Sequence, residues 1–374
     1  MEYYSSKRIK KENADIYMIV GERSNGKSYE VKHEEALKPY ILSVEKLGEI
    51  LGDAYNNGDR FFLVRRFDSE IKPISVYDWF KDVDISKLTN EVYNTIDVYR
   101  GEIFFASNTT GSKVRGEKIG YIASLSTEQN YAMRNFNDVK TIIFEEFLTR
   151  TVYLANEPDK LMNLYSTIDR KRNVVKIWML GNTISRVCPY FSEWGLLPIL
   201  KKMKEGDIVT KYVSTGSVDK QGNEIYKKIA IEYTGSSGRS SFVIGKHKDM
   251  MNKGSWQSDP QPKLPKSKKD YKVIYRIGFY YKEFSFLGEY LYDKEDKDIV
   301  WFIYPYQKEF KNNLIIFTDV IKSSKRYQRN IYDLSFKNDK LSTILSTFRE
   351  GKIFYSSDLC GTDFKQAIDF NIRK

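Results

Sequence analysis

Short apolar runs recur through the first half of the chain, and each run is followed by a glycine or a charged residue. The runs occupy residues 16–20, 61–64, 141–144 and 174–180. Apolar and polar positions hardly alternate in them, which predicts strands buried on both faces, as in a parallel sheet. Helical patterns lie between them, at residues 27–33 and 43–51. Because strands alternate with helices, we predict an α/β domain over residues 1–200 with a central, mainly parallel sheet.

The pattern changes after residue 200. Two shorter β-like pieces, at residues 208–213 and 225–233, precede a turn rich in glycine and serine and a segment that combines three prolines with several lysines. This composition predicts a linker with a small accessory subdomain over residues 201–265. Three later segments predict an antiparallel meander, at residues 273–281, 287–292 and 299–306. With a helical pattern at residues 341–348, they predict a separate α+β domain over residues 266–374.

Length and composition narrow the class of protein. The chain has 374 residues, of which 41% are hydrophobic, so it can bury a sizeable core and hold two to three domains. Two cysteines and two histidines exclude a disulfide framework and a four-thiolate zinc site. No apolar stretch reaches 18 residues, and the lysine-rich N-terminal segment lacks the apolar part of a signal peptide. We therefore expect a cytosolic protein without a membrane partner.

Positive charge is concentrated in the second half. Residues 1–200 hold 28 lysines and arginines against 28 acidic residues, whereas residues 201–374 hold 33 against 22, which accounts for the whole net charge of +11. Such a summed field attracts polyanions, and nucleic acid is the commonest polyanion in the cytosol. The alternative interpretation is that the charge only keeps the protein soluble.

The segment after the first predicted strand matches the phosphate-binding pattern G-x-x-x-x-G-K-[ST] at every defined position. It consists of Gly21, Glu22, Arg23, Ser24, Asn25, Gly26, Lys27 and Ser28. Its glycines let the backbone fold around phosphate oxygens, and the following helix begins with its positive dipole end. Lys27 would compensate the charge of the β- and γ-phosphates, and the Ser28 hydroxyl would bind Mg²⁺. We expect ATP and Mg²⁺ here; the alternative is a simple glycine turn.

Two adjacent carboxylates end the predicted strand at residues 141–144. Hydrolysis needs a group that orients the attacking water, and α/β sites are assembled at the carboxyl ends of strands. We expect Glu145 to hold Mg²⁺ through its water shell and Glu146 to be the catalytic carboxylate. Asn182, at the end of the next strand, would contact the γ-phosphate or the water. The alternatives are a solvated strand end for the acids and a turn-forming role for Asn182.

These residues resemble a known family, the DNA-packaging (encapsidation) ATPases of salasvirus-type small tailed phages. The resemblance rests on four blocks of sequence, at residues 19–29, 63–66, 141–147 and 182–191. The last block is the most specific, because an asparagine followed seven residues later by Pro-Tyr-Phe is not a general feature of phosphate-binding loops. Residues 341–355 are also similar, though weakly, to the final helix and strand of the family.

The resemblance implies an additional-strand, catalytic-glutamate (ASCE) P-loop ATPase that forms a pentameric ring. The ring is expected at the portal of an empty procapsid in the host cytoplasm, where it moves double-stranded DNA inward with a phage structural RNA as scaffold. The tail is expected to be an RNase H-like fold that has lost nuclease chemistry and binds DNA. Its first predicted strand contains Arg276 and no acidic residue, whereas two-metal nucleases need converging carboxylates. Glu145 departs from the aspartate that is common in the family.

Arginines complete the predicted machinery. The segment of residues 169–172 resembles the part of the family that holds an arginine finger acting on the neighbouring subunit, with Arg170 as first choice and Arg172 as second. Arg23 is the competing finger in cis, and a solvated basic helix end is the alternative for the cluster. For DNA we expect phosphate contacts without base readout, because a motor must hold any sequence. The candidates are Lys322, Lys325, Arg326 and Arg329.

The combined features favour a viral ATP-driven DNA-packaging motor. Other interpretations remain open at this stage: another P-loop ATPase acting on nucleic acid, a P-loop small-molecule kinase, or a nucleic-acid-binding scaffold without activity. A kinase would need an acceptor pocket and a mobile lid carrying arginine, and no segment of the sequence indicates either.

Overall fold

The computed structural model describes residues 4–22, 25–37, 59–109, 112–149, 152–234, 256, 258–281, 283–319, 324, 326–328, 346 and 350–372. The chain divides into two compact units. The described residues of the N-terminal unit fall within 4–184 and 198–234. The described residues of the C-terminal unit fall within 185–197 and 256–372. The helices are α1 (Lys7–Lys10), α2 (Lys27–Val31), α3 (Pro73–Phe80), α4 (Ile85–Leu88), α5 (Glu157–Asp169), α6 (Pro189–Glu193), α7 (Leu197–Leu200) and α8 (Asp358–Ile372).

The N-terminal unit is built on a nine-stranded mixed sheet. Its strands are β1 (Ile16–Gly21), β2 (Arg60–Arg65), β3 (Thr95–Tyr99), β4 (Glu102–Thr109), β5 (Ser112–Ser124), β6 (Val139–Glu145), β7 (Lys176–Asn182), β8 (Ile208–Val218) and β9 (Glu224–Tyr233). The spatial order is β3-β4-β5-β2-β6-β7-β1-β9-β8. The neighbouring pairs from β5-β2 through β1-β9 are parallel. The outer pairs, β3-β4, β4-β5 and β9-β8, are antiparallel.

The four apolar runs form the centre of this sheet as β2, β6, β7 and β1, which confirms the predicted parallel core. Every residue of β1 is buried. The side chain of Tyr17 on β1 stacks on Trp178 of β7, with ring centroids 4.2 Å apart. The predicted helix at residues 27–33 forms as α2, which continues as a π-helical turn over Lys32–Leu37. The helix predicted at residues 43–51 lies outside the described residues.

Helix α5 connects β6 to β7 and runs from the carboxyl edge of the sheet to its amino edge. Its buried apolar residues, Leu161, Leu164 and Ile168, lie on one face at helical spacing. At its end the carboxylate of Asp169 accepts backbone N–H bonds from three successive residues, at 2.8, 3.1 and 3.1 Å. These bonds fix the turn between α5 and β7.

Strands β8 and β9 correct the prediction of an accessory subdomain at residues 201–265. The two strands form a hairpin that continues the main sheet, because β9 pairs in parallel with β1 from Ile16 opposite Ile229 onward. Residues 229–231 are buried against β1, whereas β8 is largely exposed at the sheet edge. The polar character of β8 explains why its sequence resembles a linker.

The C-terminal unit contains a six-stranded sheet in the order β14-β13-β10-β11-β12-β15. Its strands are β10 (Tyr271–Tyr281), β11 (Phe284–Asp293), β12 (Ile299–Pro305), β13 (Ile315–Thr318), β14 (Tyr327–Gln328) and β15 (Ile353–Tyr355). The predicted meander is confirmed as β10-β11-β12, which are antiparallel, whereas β13, β14 and β15 join in parallel.

Helix α8 packs on the sheet of the C-terminal unit, where Phe364 meets Phe279 and Phe286 edge to face, at 5.0 and 5.3 Å. Of the helix predicted at residues 341–348, only Ser346 belongs to the described residues. None of the helices in the described ranges combines the length and the apolar character that a membrane span requires.

Candidate active site

A cavity of about 340 Å³ opens in the N-terminal unit at the carboxyl ends of β1, β6 and β7. Ligand sites of α/β proteins are assembled at this edge of the sheet. The lining comes from the loop after β1 and from the ends of the other two strands: Asn25, Gly26, Lys27, Ser28, Tyr29, Glu145, Glu146, Leu180, Gly181 and Asn182. The cavity is therefore lined by the second half of the predicted phosphate-binding loop, residues 25–28, together with the predicted Glu145, Glu146 and Asn182. Arg23 and Ser24 lie outside the described residues.

Two glycines permit the backbone path between β1 and α2. Gly26 has φ 95° and ψ 5°, a left-handed conformation that favours glycine, and Lys27 begins the helix directly after it. A Cβ at Gly21 would lie 1.7 Å from Oγ1 of Thr234, so β1 and the end of β9 approach too closely for any side chain there. Thr234 Oγ1 also accepts a hydrogen bond from Asn25 Nδ2 at 2.8 Å. The end of β9 thus supports the loop from behind.

Lys27 is buried at the base of the cavity. Its Nζ donates to the carbonyl oxygen of Glu22, to Asn25 Oδ1 at 3.1 Å and to Asn182 Oδ1 at 3.4 Å. Burial lowers the pKa of Lys27 to about 7, although the nearby carboxylates of Glu145 and Glu22 oppose this shift. A polyphosphate placed beside this amine would stabilise its charged form, because an opposite charge offsets the cost of desolvation.

Ser28 and Glu145 lie next to each other in the lining of the cavity. Ser28 Oγ donates to Glu145 Oε2 at 3.0 Å, and the indole of Trp79 donates to Glu145 Oε1 at 3.1 Å. Burial raises the pKa of Glu145, while these two donors and the charge of Arg65 oppose the shift. A hydroxyl and a carboxylate beside an open cavity fit Mg²⁺, which prefers oxygen ligands and completes its shell with water and phosphate.

Glu146 follows the last residue of β6 with φ 56°, which is strained for a residue with a side chain. Its carboxylate is 57% exposed and accepts a hydrogen bond from Arg65 Nη2 at 3.0 Å. Arg65 also donates to Glu70 at 3.1 Å. The two adjacent acids therefore have different surroundings. Glu145 is buried against Ser28, and Glu146 is open to the cavity and to solvent.

Arg170 and Arg172 lie at the opposite edge of the sheet, between the end of α5 and the start of β7. A strand of seven residues such as β7 spans about 20 Å. Arg170 Nη2 donates to the carbonyl oxygen of Arg134 at 2.7 Å. Arg170 is thus too far from the cavity of its own chain to contact a phosphate there.

Arg172 differs from Arg170 in the number of backbone carbonyls that accept from its guanidinium. Its acceptors belong to two segments of the chain: Phe136, Asn137, Val139, Ile168 and Asp169. This arrangement fixes the loop before β6 and makes Arg172 a structural residue, in contrast to its place as second choice for the finger.

The predicted DNA-binding stretch is only partly described. Lys322, Lys325 and Arg329 lie outside the described residues. Arg326 lies just before β14 and donates to Asn312 Oδ1 at 3.1 Å and to the carbonyl oxygens of Phe310 and Lys311 at 3.3 Å each. Its guanidinium therefore contributes to the fold of the C-terminal unit.

The sequence patterns do not identify two residues that contact the site. Thr234, which supports the loop after β1, falls in the segment predicted as a linker. Trp79, which binds Glu145, lies in α3, about 50 residues from the loop, and no motif marks it. Both reach the site through tertiary packing, so no local pattern indicates them.

Comparisons with known proteins agree with the resemblance. The family model of the Podovirus DNA encapsidation protein (Gp16) matches residues 1–361. The DNA packaging protein of Bacillus phage phi29 is 28% identical over 203 residues, covering 54% of this chain and 52% of that protein. The DNA packaging protein of Bacillus phage B103 is 30% identical over 190 residues, or 50% of each chain. The chain thus spans about half the length of the curated relatives it matches.

Two solved structures are also similar. The N-terminal domain of the DNA packaging ATPase from bacteriophage phi29 is 23% identical with a TM-score of 0.42, covering 62% of this chain and 95% of that chain. A chain of the bacteriophage Phi-29 viral genome packaging motor assembly is 18% identical with a TM-score of 0.49, covering 97% of this chain and 98% of that chain. The family model, which covers nearly the whole sequence, is the decisive comparison: this chain belongs to the Podovirus DNA encapsidation protein (Gp16) family.

Proposed function

We propose that this chain is a subunit of a DNA-packaging motor, which hydrolyses ATP and moves double-stranded DNA into a viral procapsid in the host cytoplasm. One observation carries the proposal: a single cavity brings together Lys27, Ser28, Glu145 and Glu146, the groups that phosphoryl transfer to water requires. Membership of the encapsidation family supports DNA as the cargo and the procapsid as the partner.

We assign the N-terminal unit to the ASCE class of P-loop ATPases. The strand order supports this assignment, because β7 lies between β1, which leads into the phosphate-binding loop, and β6, which ends in the two acids. In such a fold the additional strand carries a polar residue at its end. Asn182 holds this position and lies 3.4 Å from the amine of Lys27.

Each residue of the cavity then has a chemical role. Lys27 compensates the charge of the β- and γ-phosphates, and Asn182 binds the γ-phosphate or the attacking water. Ser28 and Glu145 would hold Mg²⁺, which neutralises phosphate charge when bound. Glu146 orients the attacking water and accepts its proton. The hydrogen bond from Arg65 Nη2 to Glu146 Oε2, at 3.0 Å, helps to orient this carboxylate.

Arg170 is proposed to act on the nucleotide of an adjoining subunit. The 20 Å length of β7, at about 3.3 Å per residue, argues against a role in its own cavity and supports action between subunits. This role requires a ring, for which we propose the pentamer of the resemblance, with a phage structural RNA as a further partner. Arg23 is the alternative finger, which would act on the nucleotide of its own subunit. It belongs to the same phosphate-binding loop as Lys27.

We further propose that the C-terminal unit is an RNase H-like domain without nuclease activity. The order β14-β13-β10-β11-β12, with its mixed pairing, supports that fold. On the first strand Arg276 donates to the buried Glu289 at 2.9 Å, and Lys268 forms a second ion pair with the same carboxylate. Burial raises the pKa of Glu289, but these two cations together hold it below its usual value. A carboxylate neutralised in this way is a poor metal ligand.

The lack of nuclease chemistry predicts that duplex DNA survives incubation with the protein. Linear and supercoiled DNA should keep their gel mobility in Mg²⁺ and in Mn²⁺, at protein concentrations that support ATP hydrolysis. Metal-dependent nicking, lost on removal of the metal with a chelator, would contradict this assignment.

The proposed function predicts ATP hydrolysis that duplex DNA stimulates and that Lys27→Ala abolishes. Loss of the charge-assisted contacts to phosphate should weaken ATP binding about 100-fold, equivalent to about 3 kcal/mol. Binding is measured by calorimetry and hydrolysis by phosphate release. Lys10→Ala is the control, because Lys10 pairs with Glu35 at the surface, away from the cavity. Formation of ADP that requires a small-molecule acceptor, without release of inorganic phosphate and without an effect of DNA, would indicate phosphoryl transfer to that acceptor and thus a kinase.

A further inference from the structure

Arg66 occupies an unusual position directly after β2. Its side chain is 4% exposed, and its guanidinium binds both carboxylate oxygens of Glu157, at 2.8 and 3.0 Å. The same guanidinium donates to the carbonyl oxygen of Glu146 at 3.2 Å and to that of Phe147 at 2.7 Å. One buried cation thus joins the start of α5 to the backbone of the proposed catalytic residue.

The surroundings of this ion pair are apolar. The rings of Phe144 and Tyr153 lie 5.6 and 5.0 Å from the guanidinium carbon of Arg66. Glu157 is fully buried and also accepts the backbone N–H of Leu154 at 2.8 Å. A buried ion pair is weak support for stability, because removing two charges from water offsets most of their attraction. Its geometric effect on the segment it binds is therefore the more informative property.

That segment is strained. Glu146 has a left-handed backbone, which a residue with a side chain adopts only when its surroundings enforce it. The bonds from Arg66 to two successive carbonyls act directly on this turn, and Phe147 N donates to the carbonyl oxygen of Leu180 at 3.2 Å on its other side. Without them the chain after β6 would be free to continue in an extended conformation, and the Glu146 side chain would leave the cavity.

We propose that Arg66 and Glu157 are a positioning pair for hydrolysis, an inference that rests on the proposed function. They hold the backbone of Glu146 so that its carboxylate lines the cavity, while neither residue is among those that line it. Their removal should therefore affect the chemical step and spare nucleotide binding, since positioning errors of about 1 Å reduce rates up to 100-fold.

The test compares Arg66→Lys and the near-isosteric Glu157→Gln with the wild-type chain. Both variants should lower kcat about tenfold or more, with the dissociation constant for ADP within twofold of wild type. Hydrogen exchange of the backbone at residues 146–149 should become faster in both. Arg60→Lys is the matched control, because Arg60 lies at the start of β2 and pairs with Asp138 at 2.6 Å. It should leave kcat and the exchange of residues 146–149 unchanged.

A double-mutant cycle separates positioning from a general loss of stability. In a Glu146→Gln background, Arg66→Lys should cause no further fall in kcat, because the group that it positions is already inactive. Additive losses, or wild-type kcat in both single variants, would overturn the inference. The proposed function would still stand in that case, provided that Glu146→Gln alone lowers kcat. A wild-type chain that does not hydrolyse ATP, or one in which Glu146→Gln stays active, would overturn both.

Discussion

Glu146→Gln is expected to bind ATP as tightly as the wild-type chain and to hydrolyse it about 10²- to 10⁴-fold more slowly, the usual contribution of a positioned general base. The amide keeps the size of the side chain and a hydrogen-bond acceptor, but it does not accept a proton from water. Affinity is spared, because phosphate binding is assigned to Lys27 and its loop. Single-turnover measurements of phosphate release, beside calorimetric binding of ATP, give the two quantities separately.

The control for this prediction is Glu70→Gln. Glu70 and Glu146 share Arg65 as hydrogen-bond donor, at 3.1 and 3.0 Å, so each variant removes one negative charge from the same arginine. We expect Glu70→Gln to keep turnover within about threefold, since Glu70 does not line the cavity. If both variants lose activity equally, the charge balance around Arg65 and not proton acceptance is responsible, and the assignment of Glu146 is wrong.

Arg170→Ala is expected to reduce hydrolysis in an assembled ring about 10³-fold or more while each subunit still binds ATP. The reason is that a finger compensates charge only in the transition state, so its loss is expressed in turnover and not in affinity. The turnover of assemblies made from the variant alone, compared with wild type under the same conditions, measures the effect. Lys171→Ala removes one positive charge from the same exposed turn and serves as the control.

Complementation distinguishes action between subunits from action within one. Chains with Arg170→Ala keep Glu146, and chains with Glu146→Gln keep Arg170, so a mixture contains interfaces where an intact arginine meets an intact carboxylate. Two variants that are inactive alone should therefore regain part of the wild-type turnover when mixed. No recovery in mixed assemblies of verified composition would remove Arg170 as a finger in trans.

The sequence predicts the centre of the fold and of the site well, for a physical reason. Buried parallel strands need uninterrupted apolar runs, so β1, β2, β6 and β7 are visible in the chain without any tertiary information. The predicted phosphate-binding loop and the two acids at the end of β6 are equally local, because a strand end and its following turn are adjacent in sequence. Lys27, Glu145 and Glu146 therefore meet in one cavity.

The residues that the sequence does not reveal act across long separations. Trp79, Thr234 and Glu157 reach the cavity or its loops from a helix, a strand end and a helix start that carry no motif. Strand β8 resembles a linker because an exposed edge strand has no apolar face to bury. The arginines at residues 170 and 172 share a local pattern, and only the structure shows that Arg172 donates to several backbone carbonyls whereas Arg170 donates to that of Arg134.

Helix α5 has a consequence for timing within an assembly. It begins at Glu157, beside the Glu146 turn, and ends just before Arg170, about 20 Å away at 1.5 Å per residue. A helix of this length is stiff, and the bonds to Asp169 extend that stiffness into the following turn. In the proposed role of Arg170 between subunits, a tilt of α5 during turnover in one chain would move the arginine that acts on the nucleotide of the adjoining chain. The order of hydrolysis around the proposed ring would then need no separate signalling segment.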